Sequence, residues 1–166
     1  MEASNVAIHH PNREKPQSKA TRAGVVLLML ASAVLIAVIL IGGWSKMAGA
    51  QIVAVGYIAV YLIMAFFVAA RWSRGVLPLA AGLSLMFIAM AGVAAPAWFA
   101  RDKDGLADPA LPPGLLGLLV LVLIAVQILL IVFAMRGFQQ EWSVEVEEGH
   151  HEDDGYQEGS AQPQRA

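Results

Sequence analysis

The residues that could bind a metal ion lie in the polar ends of this 166-residue sequence and in one loop. There is no cysteine, and the four histidines form two adjacent pairs, His9 with His10 and His150 with His151. The second pair precedes three acidic residues, and without a fixed scaffold we expect a solvated acidic tail there. The segment Asp102-x-Asp104-Gly105 resembles the start of a calcium loop, but no glutamate stands at the twelfth position. We therefore expect no metal and no cofactor.

Four weakly polar side chains lie instead inside long apolar stretches: Ser32, Tyr61, Ser84 and Gln127. Their hydroxyl and amide groups can hydrogen-bond to one another, or to the polar head of a quinone or a lipid-like ligand. Tyr57 stands one helical turn from Tyr61 and would add an aromatic wall on the same face. Two interpretations stay open: a structural layer that joins helices, and a ligand site.

The elements that must position these side chains are four apolar blocks, 24–43, 50–70, 76–99 and 114–135. None contains Asp, Glu, Lys, Arg or His, and each has at least 20 residues. Twenty helical residues span about 30 Å, the thickness of the hydrocarbon core of a bilayer. Backbone groups in lipid must bond internally, so each block is expected to be a helix. The sequence predicts an all-α bundle of four transmembrane helices.

The four polar residues fall at one depth in this arrangement. Counted from the same membrane side, each lies eight or nine positions inside its block. At 1.5 Å per residue, that places all of them about 12–14 Å below the boundary. Each helix therefore contributes one hydrogen-bonding group to a single layer, which we expect to face the bundle interior.

Charged residues and histidine are absent from the blocks. Proton relays, ion pathways and voltage sensors depend on such residues within the membrane. Bis-histidine haem ligation inside the bundle is excluded, because all four histidines lie outside the blocks. We therefore expect no catalytic residues and no enzyme activity, and we expect no nucleic-acid partner.

Basic residues indicate the orientation. Seven stand on the side of the two termini, including Arg71, Arg74 and Arg136, against three on the other side. Because cytoplasmic loops carry the excess of Lys and Arg, both termini are predicted to be cytoplasmic, at the plasma membrane. Tryptophan favours the membrane interface, and the four tryptophans all lie near the block ends. We expect them to be interface anchors: Trp44, Trp72, Trp98 and Trp142.

The polar segments divide into three. We predict a disordered basic tail over 1–23, a patterned juxtamembrane segment over 136–148 and a disordered acidic tail over 149–166. Phe138 and Trp142 are four apart, which suits a helix that continues out of the membrane. Val144 and Val146 alternate with polar residues, which is typical of a strand. A single strand is unstable alone, so we expect these four side chains to dock on a partner.

Composition also predicts helix packing. Ten of the nineteen residues over 79–97 are Ala, Gly or Ser, which let helix backbones approach closely. We therefore expect the third helix to be the central one. The fourth is rich in Leu, Val and Ile and would face lipid or a larger partner.

Two functions stay open. One is a non-catalytic accessory or assembly subunit of a larger membrane complex, or a homo-oligomer. The other is a small transporter or lipophile-binding protein that uses the polar layer. A transporter would show a water-accessible cavity that reaches the layer, whereas an accessory subunit would show a dry, closed bundle.

Overall fold

The computed structural model describes residues 7–47, 49–99 and 109–148. A short helix, α1 (Pro11–Glu14), precedes four long ones: α2 (Pro16–Gly43), α3 (Gln51–Arg71), α4 (Val76–Phe99) and α5 (Pro113–Gln139). All four long helices have the length and apolar composition needed to cross a membrane. The all-α fold with four candidate spans is confirmed, and the chain is a membrane protein by this criterion. The acidic tail 149–166, with His150 and His151, and the loop with Asp102 and Asp104 lie outside the described residues.

The helix α2 starts eight residues before the apolar block that it contains. The prediction of disorder is therefore wrong for residues 11–23, which form α1 and the first two turns of α2. Proline stands at the start of both helices, where its fixed φ favours the first turn. Thr21 also contacts Gln140, just past the end of α5, and Arg22 contacts α3. Such tertiary contacts stabilise the helical structure of this polar segment, which hydropathy alone does not assign to the bundle.

The four long helices form an open ring in the order α3, α2, α5, α4. Extensive packing joins α5 to both α4 and α2, and α2 to α3, whereas α3 and α4 barely touch. The expectation that α4 is central is thus wrong, because α2 and α5 each have two neighbours. The Leu-, Val- and Ile-rich α5 supplies core residues as well as an exposed apolar side.

Close approach in this bundle depends on glycines of α2 and α5. A Cβ atom on Gly43 would lie 2.5 Å from the Trp98 ring, and one on Gly117 would lie 2.7 Å from the Phe99 ring. On α4, by contrast, a Cβ on Gly82 or Gly92 would meet none of the described residues within 4 Å. The bundle therefore seats large aromatic side chains of α4 against glycines of its neighbours. Counting small residues on one helix misses that arrangement.

A short antiparallel pairing joins the two ends of the described chain. The strand β1 (Ala7–His9) pairs with β2 (Val146–Glu148), with Ile8 opposite Glu147. The extended segment thus finds its partner strand in its own N-terminus. The predicted helical continuation to Trp142 is wrong, because α5 ends at Gln139 and Glu141 adopts a left-handed conformation with φ 49°.

Candidate functional site

The structure brings the four polar residues of the apolar blocks into one buried layer. Ser32, Tyr61, Ser84 and Gln127 are all fully buried, one on each long helix. The Tyr61 hydroxyl donates to Gln127 Oε1 at 2.6 Å, and Gln127 Nε2 donates to Ser32 Oγ at 2.9 Å. The Ser84 hydroxyl oxygen lies 3.4 Å from that of Tyr61. These contacts link all four helices through side chains.

The hydrogen-bonding capacity of this layer is used internally. The Ser32 hydroxyl donates to the Leu28 carbonyl at 2.7 Å, so its oxygen is available to accept from Gln127. The single phenol hydrogen of Tyr61 goes to Gln127, which leaves Ser84 as the donor to Tyr61. Within the described residues, no buried side-chain nitrogen or oxygen lacks a partner. Every polar side-chain atom of the layer therefore already has a partner inside the protein.

Tyr57 does not join this network. Its ring lies 5.9 Å from that of Tyr61 and 5.1 Å, edge-on, from that of Phe87. It lines a cleft instead, and none of the described residues hydrogen-bonds its hydroxyl.

This cleft lies between α3 and α4, on the side of the polar layer toward Trp98. Its volume is about 250 Å³, and its walls include Ile36, Phe87, Met90 and Leu123. Apart from Tyr57, the side chains that line it are aliphatic, aromatic or thioether groups.

Alanines of the facing helices make room for the cleft. Ala54 of α3 and Ala91 and Ala94 of α4 line it. The small residues of α4 that predicted tight packing here border open space, because α3 does not close onto them. The alanine-rich face of α4 is the sequence signal of the cleft, although small residues at this spacing predicted tight packing instead.

The tryptophans differ in their surroundings. Trp44 is 56% exposed, as an interface anchor requires, and Trp72 is half-buried. Trp98 and Trp142 are buried, at 5% and 0% exposure. The prediction of an interface anchor is wrong for these two, because their rings pack inside the protein. Trp142 meets Trp72 edge-on, with ring centroids 5.4 Å apart.

Arg22, which entered the sequence prediction only as one of the basic residues that set the orientation, forms hydrogen bonds with the end of α3. Arg22 Nε donates to the Val68 carbonyl at 3.2 Å, and its Nη2 donates to the Ala69 carbonyl. The last carbonyls of a helix have no intrahelical partner, so these bonds satisfy groups that would otherwise face lipid or water. The guanidinium also lies 4.2 Å from the centre of the Trp72 ring.

Trp142 is held by other parts of the same chain. Its indole nitrogen donates to Gln140 at 3.0 Å, and Gln140 donates to Thr21 at 2.9 Å. Arg13 Nε donates to the Trp142 carbonyl at 2.9 Å. Trp142 was therefore wrongly assigned to a docking surface: it is part of the core.

The remaining residues of the docking prediction have different environments. Phe138 lies under Arg74, whose guanidinium is 4.3 Å from the ring centre and donates to the Phe138 carbonyl. Phe138 and Val144 are 36% and 37% exposed. Val146 pairs with His9 in the strand pairing. Of the arginines used for orientation, Arg74 also approaches Glu141 at 3.8 Å, while Arg71 and Arg136 are exposed.

Comparison of this chain with protein-family models, with curated proteins and with solved structures finds no match.

Proposed function

We propose that this chain is a non-catalytic, multi-pass protein of the plasma membrane that binds a lipophilic molecule in the cleft between α3 and α4. The observation that carries the proposal is the cleft itself, about 250 Å³ of apolar-lined space beside a bilayer-spanning bundle. Ligand sites are concave and largely apolar, with few polar groups that fix orientation. Tyr57 supplies one such group here.

The properties of the polar layer favour ligand binding in the cleft over transport through the centre of the bundle. Its four side chains bond to one another and are fully buried. The cleft is lined by none of them. The apolar blocks also contain no Asp, Glu, Lys, Arg or His that could carry a proton or an ion. In this proposal the layer joins the helices and does not bind the ligand. The ligand is then a mainly hydrocarbon molecule, because the cleft that receives it is apolar.

The proposed orientation has both termini in the cytoplasm. Its support is the seven-to-three distribution of basic residues and the exposure of Trp44 at the opposite end of α2.

The test uses Trp98, which lines the cleft, as a fluorescent reporter. We expect dibromostearic acid to quench the purified protein, and Trp98→Phe to remove that part of the quenching. Ala94→Phe, which fills the cleft, should reduce the Trp98-dependent part of the quenching several-fold. Ala97→Phe is the matched control, since Ala97 is an exposed residue of the same helix outside the cleft. Equal quenching of the Ala94→Phe and Ala97→Phe variants would contradict the proposal.

A second candidate function is that of an accessory subunit of a larger membrane complex, or of a homo-oligomer. Phe138 and Val144 favour it, because both stay partly exposed, Phe138 in the last turn of α5 and Val144 in the segment that follows that helix. Native mass spectrometry of the protein in mild detergent tests it. Larger proteins or further copies at fixed stoichiometry, lost in a Phe138→Ser, Val144→Ser double variant, would support this function. A single chain that retains a small molecule would favour the cleft.

A further inference from the structure

A second groove lies at the other end of the bundle, between the start of α2 and the end of α3. Its volume is about 380 Å³, and it is separate from the cleft between α3 and α4. Six residues line it: Lys19, Arg22, Ala23, Val26, Leu27 and Ala69. Two of the six are cations and the other four are apolar.

Charge and apolar surface are ordered along the depth of this groove. Lys19 and Arg22 are the last ionisable residues before the apolar block, so they stand at its polar rim. Val26 and Leu27 follow on the same helix, one to two turns deeper. The sequence of cation first and hydrocarbon beneath matches the sequence of headgroup and acyl chain in a phospholipid.

The positive charges of Lys19 and Arg22 are not neutralised by a carboxylate of the described residues and can therefore attract an anion. Arg22 donates to two neutral carbonyls, which use two of the five N–H groups of a guanidinium. Its position is fixed by those bonds and by the Trp72 ring. Lys19 is exposed at the groove edge. Over residues 7–47, 49–99 and 109–148, no carboxylate forms an ion pair with either side chain.

We propose that this groove binds one anionic phospholipid, with its phosphate at Lys19 and Arg22 and an acyl chain along Val26 and Leu27. Basic pockets between membrane helices recognise anionic headgroups by this combination of charge and apolar wall. The preformed position of Arg22 reduces the ordering cost of binding, because its side chain is already held.

The test is native mass spectrometry of the full chain, delipidated in detergent and titrated with dioleoyl phosphatidylglycerol or with dioleoyl phosphatidylcholine. We expect the first phosphatidylglycerol to bind more tightly than phosphatidylcholine. Lys19→Gln should weaken that binding about fivefold, the factor that corresponds to one basic residue near a membrane surface. Arg136→Gln makes the same charge change at the end of α5 and should leave the affinity unchanged.

A second variant tests the apolar part without a change of charge. Ala23→Phe fills the groove beneath Lys19 and should also reduce the affinity for phosphatidylglycerol several-fold. Equal binding of the two lipids, or equal loss in Lys19→Gln and Arg136→Gln, would overturn the proposal. Displacement of phosphatidylglycerol by inorganic phosphate at millimolar concentration would overturn it as well, since it would assign the groove to a soluble anion.

Discussion

Gln127 of α5 donates a hydrogen bond to Ser32 of α2 at 2.9 Å, although 95 residues separate them in the sequence. This bond joins the two helices that have two neighbours each in the open ring. Gln127 also accepts from Tyr61 of α3. One amide therefore fixes the relative depth of three helices.

Gln127→Leu should destabilise the folded protein. The change leaves the buried Tyr61 hydroxyl without its acceptor, and hydrogen bonds between membrane helices contribute about 0.6–2 kcal/mol each. Adding Tyr61→Phe removes the orphaned donor and should recover part of the loss, because removing both partners costs less than removing one. Thermal unfolding in detergent of the two single variants and the double variant measures this coupling. Strictly additive losses would show that the two side chains do not interact.

Gly43→Ala should destabilise the protein through overpacking. The added Cβ would lie 2.5 Å from the ring of Trp98, which is only 5% exposed, and forcing extra volume into a packed core costs about 1–3 kcal/mol. Trp98→Phe in the same chain should restore part of the stability by freeing that space. Gly92→Ala is the control, since its Cβ meets no described residue within 4 Å. The same thermal measurement applies, and a loss in Gly92→Ala equal to that in Gly43→Ala would refute the explanation.

Arg22→Lys should loosen the end of α3 while keeping the charge. Lysine lacks the planar fork that reaches two carbonyls at once, so the bonds to Val68 and Ala69 are not both replaced. Hydrogen–deuterium exchange should become faster over the last turn of α3, with little change at the end of α5. Arg136→Lys serves as the control. Unchanged exchange in α3 would show that Arg22 does not hold this helix end.

A disulfide should form between β1 and β2 in one register. Ile8 and Glu147 are directly opposed in the strand pairing. The Cα–Cα distance of opposed residues in paired strands lies within the range that a disulfide allows. The chain has no cysteine of its own that could compete. Ile8→Cys with Glu147→Cys should cross-link under mild oxidation, as seen by gel mobility with and without reductant. Ile8→Cys with Glu145→Cys is out of register and should cross-link far less. Equal yields for the two pairs would argue against the pairing.

The proposed orientation predicts which loops an impermeant maleimide reaches in intact cells. Ala110→Cys lies in the connection between α4 and α5 and should be labelled from outside. Gly75→Cys lies between α3 and α4 and should be labelled only after permeabilisation. Both positions are exposed, so the contrast reports sidedness rather than burial. The reverse pattern would invert the proposed topology.

Hydropathy and depth counting located the spans and the polar layer, because both depend on the fixed rise of a helix. Ser84 and Gln127 could be placed at one depth without knowing which helices touch. The cleft and the role of Arg22 depend on which helices touch, and no local pattern encodes that. The tryptophans show the same limit: Trp44 and Trp142 have similar positions at block ends, yet only Trp142 has a chain segment folded over it.

The pairing of β1 with β2 makes the backbone nearly circular. Four candidate spans bring the chain back to the side from which α2 starts, and Ala7–His9 then lies beside Val146–Glu148. A short peptide could link position 148 to position 7, while the chain is opened in the connection at Gly75. Such a permuted protein would keep every interhelical contact described above, so the order in which the helices enter the membrane could be changed without changing the bundle they form.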